Sequence, residues 1–165
     1  MKRVTPLGAL ARGLLAGATG TAAMTAAQEL SSSLQANDDS EPGSGDPWEH
    51  APAPAKAAKR VLEGVFGLRV PASRIDLLTH ATHWLYGIGW GAVYGLVQET
   101  VLAAPIRHGL LFGSGVWGAS YLQLVPMGIY EPPWRYPART LAFDASYHLV
   151  YGTVVANTYN ALDKR

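Results

Sequence analysis

The sequence contains no cysteine, and formal charge is scarce: 13 Lys and Arg stand against 12 Asp and Glu in 165 residues, a net charge of +1. The first absence excludes disulfides, thiolate metal sites, iron–sulfur clusters and a cysteine nucleophile. The second removes the basic footprint of a nucleic-acid-binding domain. Also missing are a GxxxxGK[ST] or GxGxxG phosphate loop after a strand, an HExxH helix, and any nucleophile-elbow context around Ser73, Ser114, Ser120 or Ser146. No catalytic residue is assigned, and the chain reads as non-enzymatic.

The charge that is present is segregated. Most of it lies in residues 1–12, 38–76, 131–139 and 163–165, and the blocks between are nearly charge-free. Asp76 and Glu99 bracket 22 residues without formal charge, and Gly109–Tyr130 is another such run of 22. At about 1.5 Å per residue, either is long enough for a hydrocarbon core of roughly 30 Å. The predicted fold class is all-α: a single integral membrane domain, a four-span transmembrane helical bundle with spans at about 7–30, 76–98, 109–130 and 139–162.

Between the first two spans, residues 31–55 combine Ser, Asp, Glu, Gly and Pro and read as a mobile polar loop. Residues 56–68 alternate Val61, Leu62, Val65, Phe66 and Leu68 with Lys56, Lys59, Arg60 and Glu63, predicting a short amphipathic interfacial helix ended by Pro71. It either lies at a membrane surface or caps the bundle without touching lipid. The EPPWRYP segment, with Pro132, Pro133 and Pro137, is expected to cover the helix ends and bury the body of Trp134.

Helical spacing separates the faces of each span. Gly13, Gly17, Gly20 and Met24 align in the small-xxx-small manner that lets membrane helices approach closely, and this favours a retained first span over a cleaved signal peptide behind Lys2 and Arg3. In the second span Asp76, His80, His83, Gly87, Gly91 and Tyr94 share a stripe, with Leu77, Leu85 and Val93 elsewhere. In the fourth, Asp144, His148, Tyr151, Val155 and Thr158 do so. These stripes are expected to face protein.

The chain also repeats itself. Gly13-Leu14-Leu15-Ala16-Gly17 corresponds to Gly109-Leu110-Leu111-Phe112-Gly113, and His83-Trp84-Leu85-Tyr86-Gly87 to His148-Leu149-Val150-Tyr151-Gly152, in the same order. Two tandem helical-hairpin repeats follow, parallel and related by an axis along the membrane normal. Equivalent residues then lie at similar depth, so His83 and His148 are expected to face one another.

The stretches GLLAGATGTAAMTAAQ, HWLYGIGWGAVYGL and IYEPPWRYPARTLAFDASYHLVYG, within residues 7–160, resemble the YagU-like family of bacterial inner-membrane proteins and its actinobacterial relatives. The resemblance implies a helical integral membrane protein and no particular reaction.

Candidate functional residues are the ionisable groups within the apolar blocks. His80, His83, Asp144 and His148, with Tyr86 and Tyr151, form the intramembrane polar site; Gly13, Gly17, Gly20, Gly87, Gly91, Gly109, Gly113 and Gly152 are the helix-packing positions. Such polar groups either tie helices together by hydrogen bonds or line a transport or proton pathway. A bis-histidine haem site at His83 and His148 is a third reading; no cofactor or metal is expected. Membrane lipid is the expected partner, with self-association through Gly89, Gly115 or Gly118, or entry into a larger membrane complex, left open. The expected location is the cytoplasmic membrane. Lys2 and Arg3 before the first span put both termini on the cytoplasmic side, although the count of flanking cations is balanced.

Overall fold

A computed structural model describes residues 5–35, 45–98 and 105–163. Among them the chain is all-helical, with five α-helices and no strand: α1 (Pro6–Gln35), α2 (Ala53–Phe66), α3 (Ile75–Gln98), α4 (Pro105–Leu124) and α5 (Ala138–Asp163). Lys2 and Arg3, the cations used to orient the chain, lie outside the described residues, as do 36–44 of the polar loop.

Helix ends follow local chemistry. Gly67 adopts a positive φ of 65° and caps α2, so that helix stops before Pro71, which was expected to end it. α4 starts on Pro105, the position where a missing N–H costs nothing, and ends at Leu124, short of Tyr130. Pro126 cannot continue the ladder, and Gly128, at φ 63°, turns the chain so that Ile129 N donates to Leu124 O at 3.0 Å. The first span is longer than expected, reaching Gln35. Residues 45–51 are ordered by turns and bury Ala51, so this part of the loop is fixed against the fold.

α1 packs against α3 and α5, and α4 against α5, while α2 rests on α3. The close pairs are antiparallel and glycine-mediated. A methyl built on Gly17 would stand 2.8 Å from Gly87 O and 2.9 Å from Ile88 Cα; one on Gly109 would stand 2.8 Å from Gly152 O and 2.9 Å from Thr153 Cα. Backbones therefore touch at these crossings. Gly20 instead faces Val155 and Tyr151 of α5. α3 and α4 meet through rings: Phe112 lies 6.3 Å from Trp90 and 4.9 Å from Tyr94 by centroid. Tyr94 in turn meets Tyr159 of α5 at 5.6 Å.

Two tyrosines join α5 to α3. Tyr151 OH donates to Gly87 O at 2.6 Å and Tyr159 OH to Gly95 O at 3.2 Å, so α5 runs parallel to α3. The buried core is Ala16, Met24, Tyr94, Val116, Tyr151, Val155, Ala156 and Tyr159. Its outer counterpart is apolar: Leu15, Leu85 and Leu111 are 58%, 71% and 71% exposed at the middle of α1, α3 and α4. Among the described residues, no helix is long and apolar enough to cross a membrane.

Candidate functional site: the polar end of the bundle

The ionisable groups singled out from the sequence gather at the end of the bundle formed by the start of α3 and α5, the second half of α1 and the end of α4. His83 Nε2 lies 3.3 Å from Thr25 Oγ1 of α1. His148 Nδ1 lies 2.8 Å from the carbonyl oxygen of Asp144, one turn earlier; a carbonyl only accepts, so this nitrogen carries the proton. The Asp144 carboxylate accepts from Trp117 Nε1 at 2.9 Å and from Tyr121 OH at 3.1 Å, both to Oδ2, and its Oδ1 stands 3.8 Å from His148 Nδ1.

Not every candidate joins. Asp76 and His80, placed on the inward stripe by spacing, are exposed at the first two turns of α3, where the bundle has not yet closed around the helix. Tyr86 is drawn to α4, where its hydroxyl accepts from Gln123 Nε2 at 3.1 Å. Tyr151 serves the helix contact with Gly87. Arg12, which interrupts the apolar run of the first span, is ion-paired with Asp163 at the far end of the bundle. The expectation for EPPWRYP fails at its tryptophan: Trp134 is 82% exposed, and Tyr130 and Tyr136 turn inward onto Tyr121 in its place. Burial, then the Asp144 carboxylate, pushes the Tyr130 hydroxyl up to about 12.

Thr25, Trp117 and Tyr121 were not anticipated as site residues. The signal for two of them was present: Gly109, Gly113, Trp117 and Tyr121 recur every four residues and so share the face of α4 that meets α5. Thr25 carries no such mark, because its partner is fixed only by the α1–α3 register.

The arrangement offers one carboxylate with two neutral donors, and two imidazoles, one of them beside the Thr25 hydroxyl. Among the described residues, no group of three or more His, Asp or Glu side chains is placed to hold a metal ion. A bis-histidine haem needs both Nε2 atoms turned to the iron, and that of His83 is taken up by Thr25. Among the described residues, two buried side-chain polar atoms have no hydrogen-bond partner, Tyr94 OH and His108 Nδ1, toward the opposite end. Gly89, Gly115 and Gly118 face open space, with nothing within 4 Å of an added methyl. No family model matches the chain, and neither does any curated protein or solved structure.

Proposed function

We propose that this chain is a multi-pass protein of the bacterial cytoplasmic membrane, a four-span bundle with a structural or accessory role and no catalytic one. The observation that carries the reading is the inverted polarity of the bundle. Gly, Thr, Tyr and the Asp144–His148 pair face inward, while Leu14, Leu15, Leu85, Val93, Leu96, Leu110, Leu111 and Leu122 face out. A water-soluble bundle buries its leucines and exposes its polar groups. Here the helices have the length for a bilayer, about 30 to 45 Å for 20 to 30 residues. Their average hydropathy is low because the inward residues dilute it, and lipid would meet only the outward ones. Arg12 and Asp163 neutralise one another, which lowers the cost of an intramembrane charge. α2, with Val61, Val65 and Phe66 exposed, is suited to the bilayer interface. The resemblance to YagU-like proteins points the same way.

The structural role is favoured because the inward polar groups are largely spent on helix-to-helix bonds: Thr25 with His83, Tyr151 with Gly87, Tyr159 with Gly95, and Trp117 and Tyr121 with Asp144. The test is location. The full chain should remain in the membrane fraction after an alkaline wash, and cysteines placed at Leu15, Leu85 and Leu111 should resist a water-soluble maleimide until detergent is added. Release into the wash, or ready labelling in intact membranes, would overturn it.

A second reading, a small transporter, channel or proton-conducting module, is favoured by the polar groups of His83, Asp144 and His148 at one end of the bundle together with Tyr94 OH and His108 Nδ1, buried without a partner among the described residues, farther along it. Proton or ion flux in reconstituted vesicles that disappears in a folded His83→Ala variant would select it.

A further inference from the structure

We infer that the pocket between α2 and the turn after α4 is a binding site for a phosphate group. It is a cavity of about 290 Å³ whose lining includes Trp48, Lys56, Lys59, Arg60, Glu63 and Gly128. Lys56, Lys59 and Arg60 stand at i, i+3 and i+4, which places three cations on one face of one helix, where like charges repel. One acid in the wall, Glu63, cancels only part of that charge. Lys56 Nζ donates to the carbonyl oxygen of Glu49 at 2.7 Å, and Lys59 Nζ lies 4.5 Å over the Trp48 ring; both contacts fix position and leave the charge intact. The Glu63 carboxylate, the single acid in the wall, is engaged by Val70 N at 3.1 Å.

Arg60 makes no hydrogen bond or ion pair among the described residues. Its guanidinium reaches over the αL residue Gly128, where an added methyl would stand 3.6 Å from one of its terminal nitrogens. Three cations less one acid leave a surplus of two positive charges around a space open to solvent on one side. A doubly charged tetrahedral oxyanion answers that surplus: the arginine fork can bind two of its oxygens while the lysines act as point charges. The class is a phosphomonoester or inorganic phosphate. If the bundle is embedded as proposed above, an anionic phospholipid headgroup is its natural source, because the exposed Val61, Val65 and Phe66 on the same helix offer a surface for acyl chain. Only the source rests on the membrane reading; the phosphate chemistry does not.

The test uses the full chain in a neutral detergent, titrated with inorganic phosphate, with dihexanoyl phosphatidic acid, and with dihexanoyl phosphatidylcholine as a zwitterionic control. Heat of binding is read, together with the tryptophan fluorescence change that Trp48→Phe removes. Phosphatidic acid, inorganic phosphate or both should bind, and Arg60→Gln should weaken that binding about tenfold or more, with partial recovery in Arg60→Lys. Binding of both probes with similar affinity assigns the site to free phosphate, and binding of the lipid alone assigns it to a headgroup. Failure of both probes, or an Arg60→Gln variant that binds as the parent does, overturns the proposal. Arg60 is exposed and has no partner among the described residues, so this variant keeps its fold even where Lys59→Gln, which loses the ring contact, does not. Retention after alkaline washing is read separately, so the site and the membrane location can fail independently.

Discussion

Replacing Gly91 by alanine is the most direct test of how the bundle holds together, because Gly89 on the same helix supplies an internal control. A methyl on Gly91 would fall on the Cα of Gly17 and stand 2.5 Å from both Gly13 O and Gly17 N, all backbone atoms of α1 that no rotamer change can move. A methyl on Gly89 meets nothing within 4 Å. Both substitutions gain the helix preference of alanine over glycine, up to about 1 kcal/mol. Only Gly91→Ala must push α1 and α3 apart, by about 1 Å to restore ordinary contact, and overpacking of this kind costs about 1–3 kcal/mol. The separation also stretches the Thr25–His83 contact, already long at 3.3 Å. Gly91→Ala should therefore be less stable than Gly89→Ala by about 2–4 kcal/mol, since the same propensity gain cancels between them and loosened contacts add to the clash. Unfolding by sodium dodecyl sulfate, followed by far-ultraviolet circular dichroism in mixed micelles, reads the difference. Equal stability of the two variants would refute the claim that backbone contact at the glycines holds α1 to α3.

Two further substitutions probe the interior bonds by the same measurement. Tyr151→Phe removes a buried 2.6 Å hydrogen bond to Gly87 O and should cost about 1 kcal/mol, whereas Tyr94→Phe removes a hydroxyl that has no partner and should be neutral or mildly stabilising. Asp144→Ala leaves the Trp117 and Tyr121 donors without their acceptor and should cost about 2–4 kcal/mol, while Asp144→Asn, which keeps an oxygen in place, should recover part of that; equal effects of the two would mean that the carboxylate is not what anchors the end of α4.

The helices were legible in the sequence because charge and proline mark their limits. The runs between Asp76 and Glu99 and after Arg139 became α3 and α5 nearly as read. The inward stripe Gly13, Gly17, Gly20 and Met24 was legible too, since only small residues permit contact along a whole face, and all four are buried. What could not be read depends on where a helix lies within the bundle. Asp76 and His80 share the angular position of His83 yet are exposed, because a stripe says nothing about where along the axis the neighbours begin. Trp134 reads as a residue to be buried, but the short 3-10 turn Pro133–Arg135 sends it outward and leaves the packing to Tyr130 and Tyr136. The face that Trp117 and Tyr121 occupy was legible from their spacing, but their bonds to Asp144 depend on a register between α4 and α5 that no single-helix periodicity contains.

That register also separates the α4–α5 pair from the α1–α3 pair. The sequence aligns Gly13 with Gly109 and Gly17 with Gly113, and the HxxYG motifs with one another, so equal packing would set Gly113 on Gly152 as Gly17 is set on Gly87. The structure puts Gly109 there, with nearly the same spacings, and carries Gly113 on to His148 and Leu149. The second hairpin is thus slid by four residues, about 6 Å or one turn, relative to the first. In this alignment Trp117 takes the place of Thr25. The small Thr25 reaches the adjacent His83, while the long indole of Trp117 passes His148 and bonds Asp144, one turn away. The histidines are equivalent in sequence and differ in what they touch. The tyrosines divide in the same way: Tyr151 and Tyr159 bond the Gly87 and Gly95 carbonyls of α3, whereas Tyr86 takes its bond from Gln123 and the hydroxyl of Tyr94 has none. Two helix pairs packed alike would place two identical half-sites on an axis, the arrangement suited to a shared ligand. Locking by unlike bonds in each half instead selects one register for each hairpin, which is what a bundle needs if its polar interior serves to hold four helices in a fixed order.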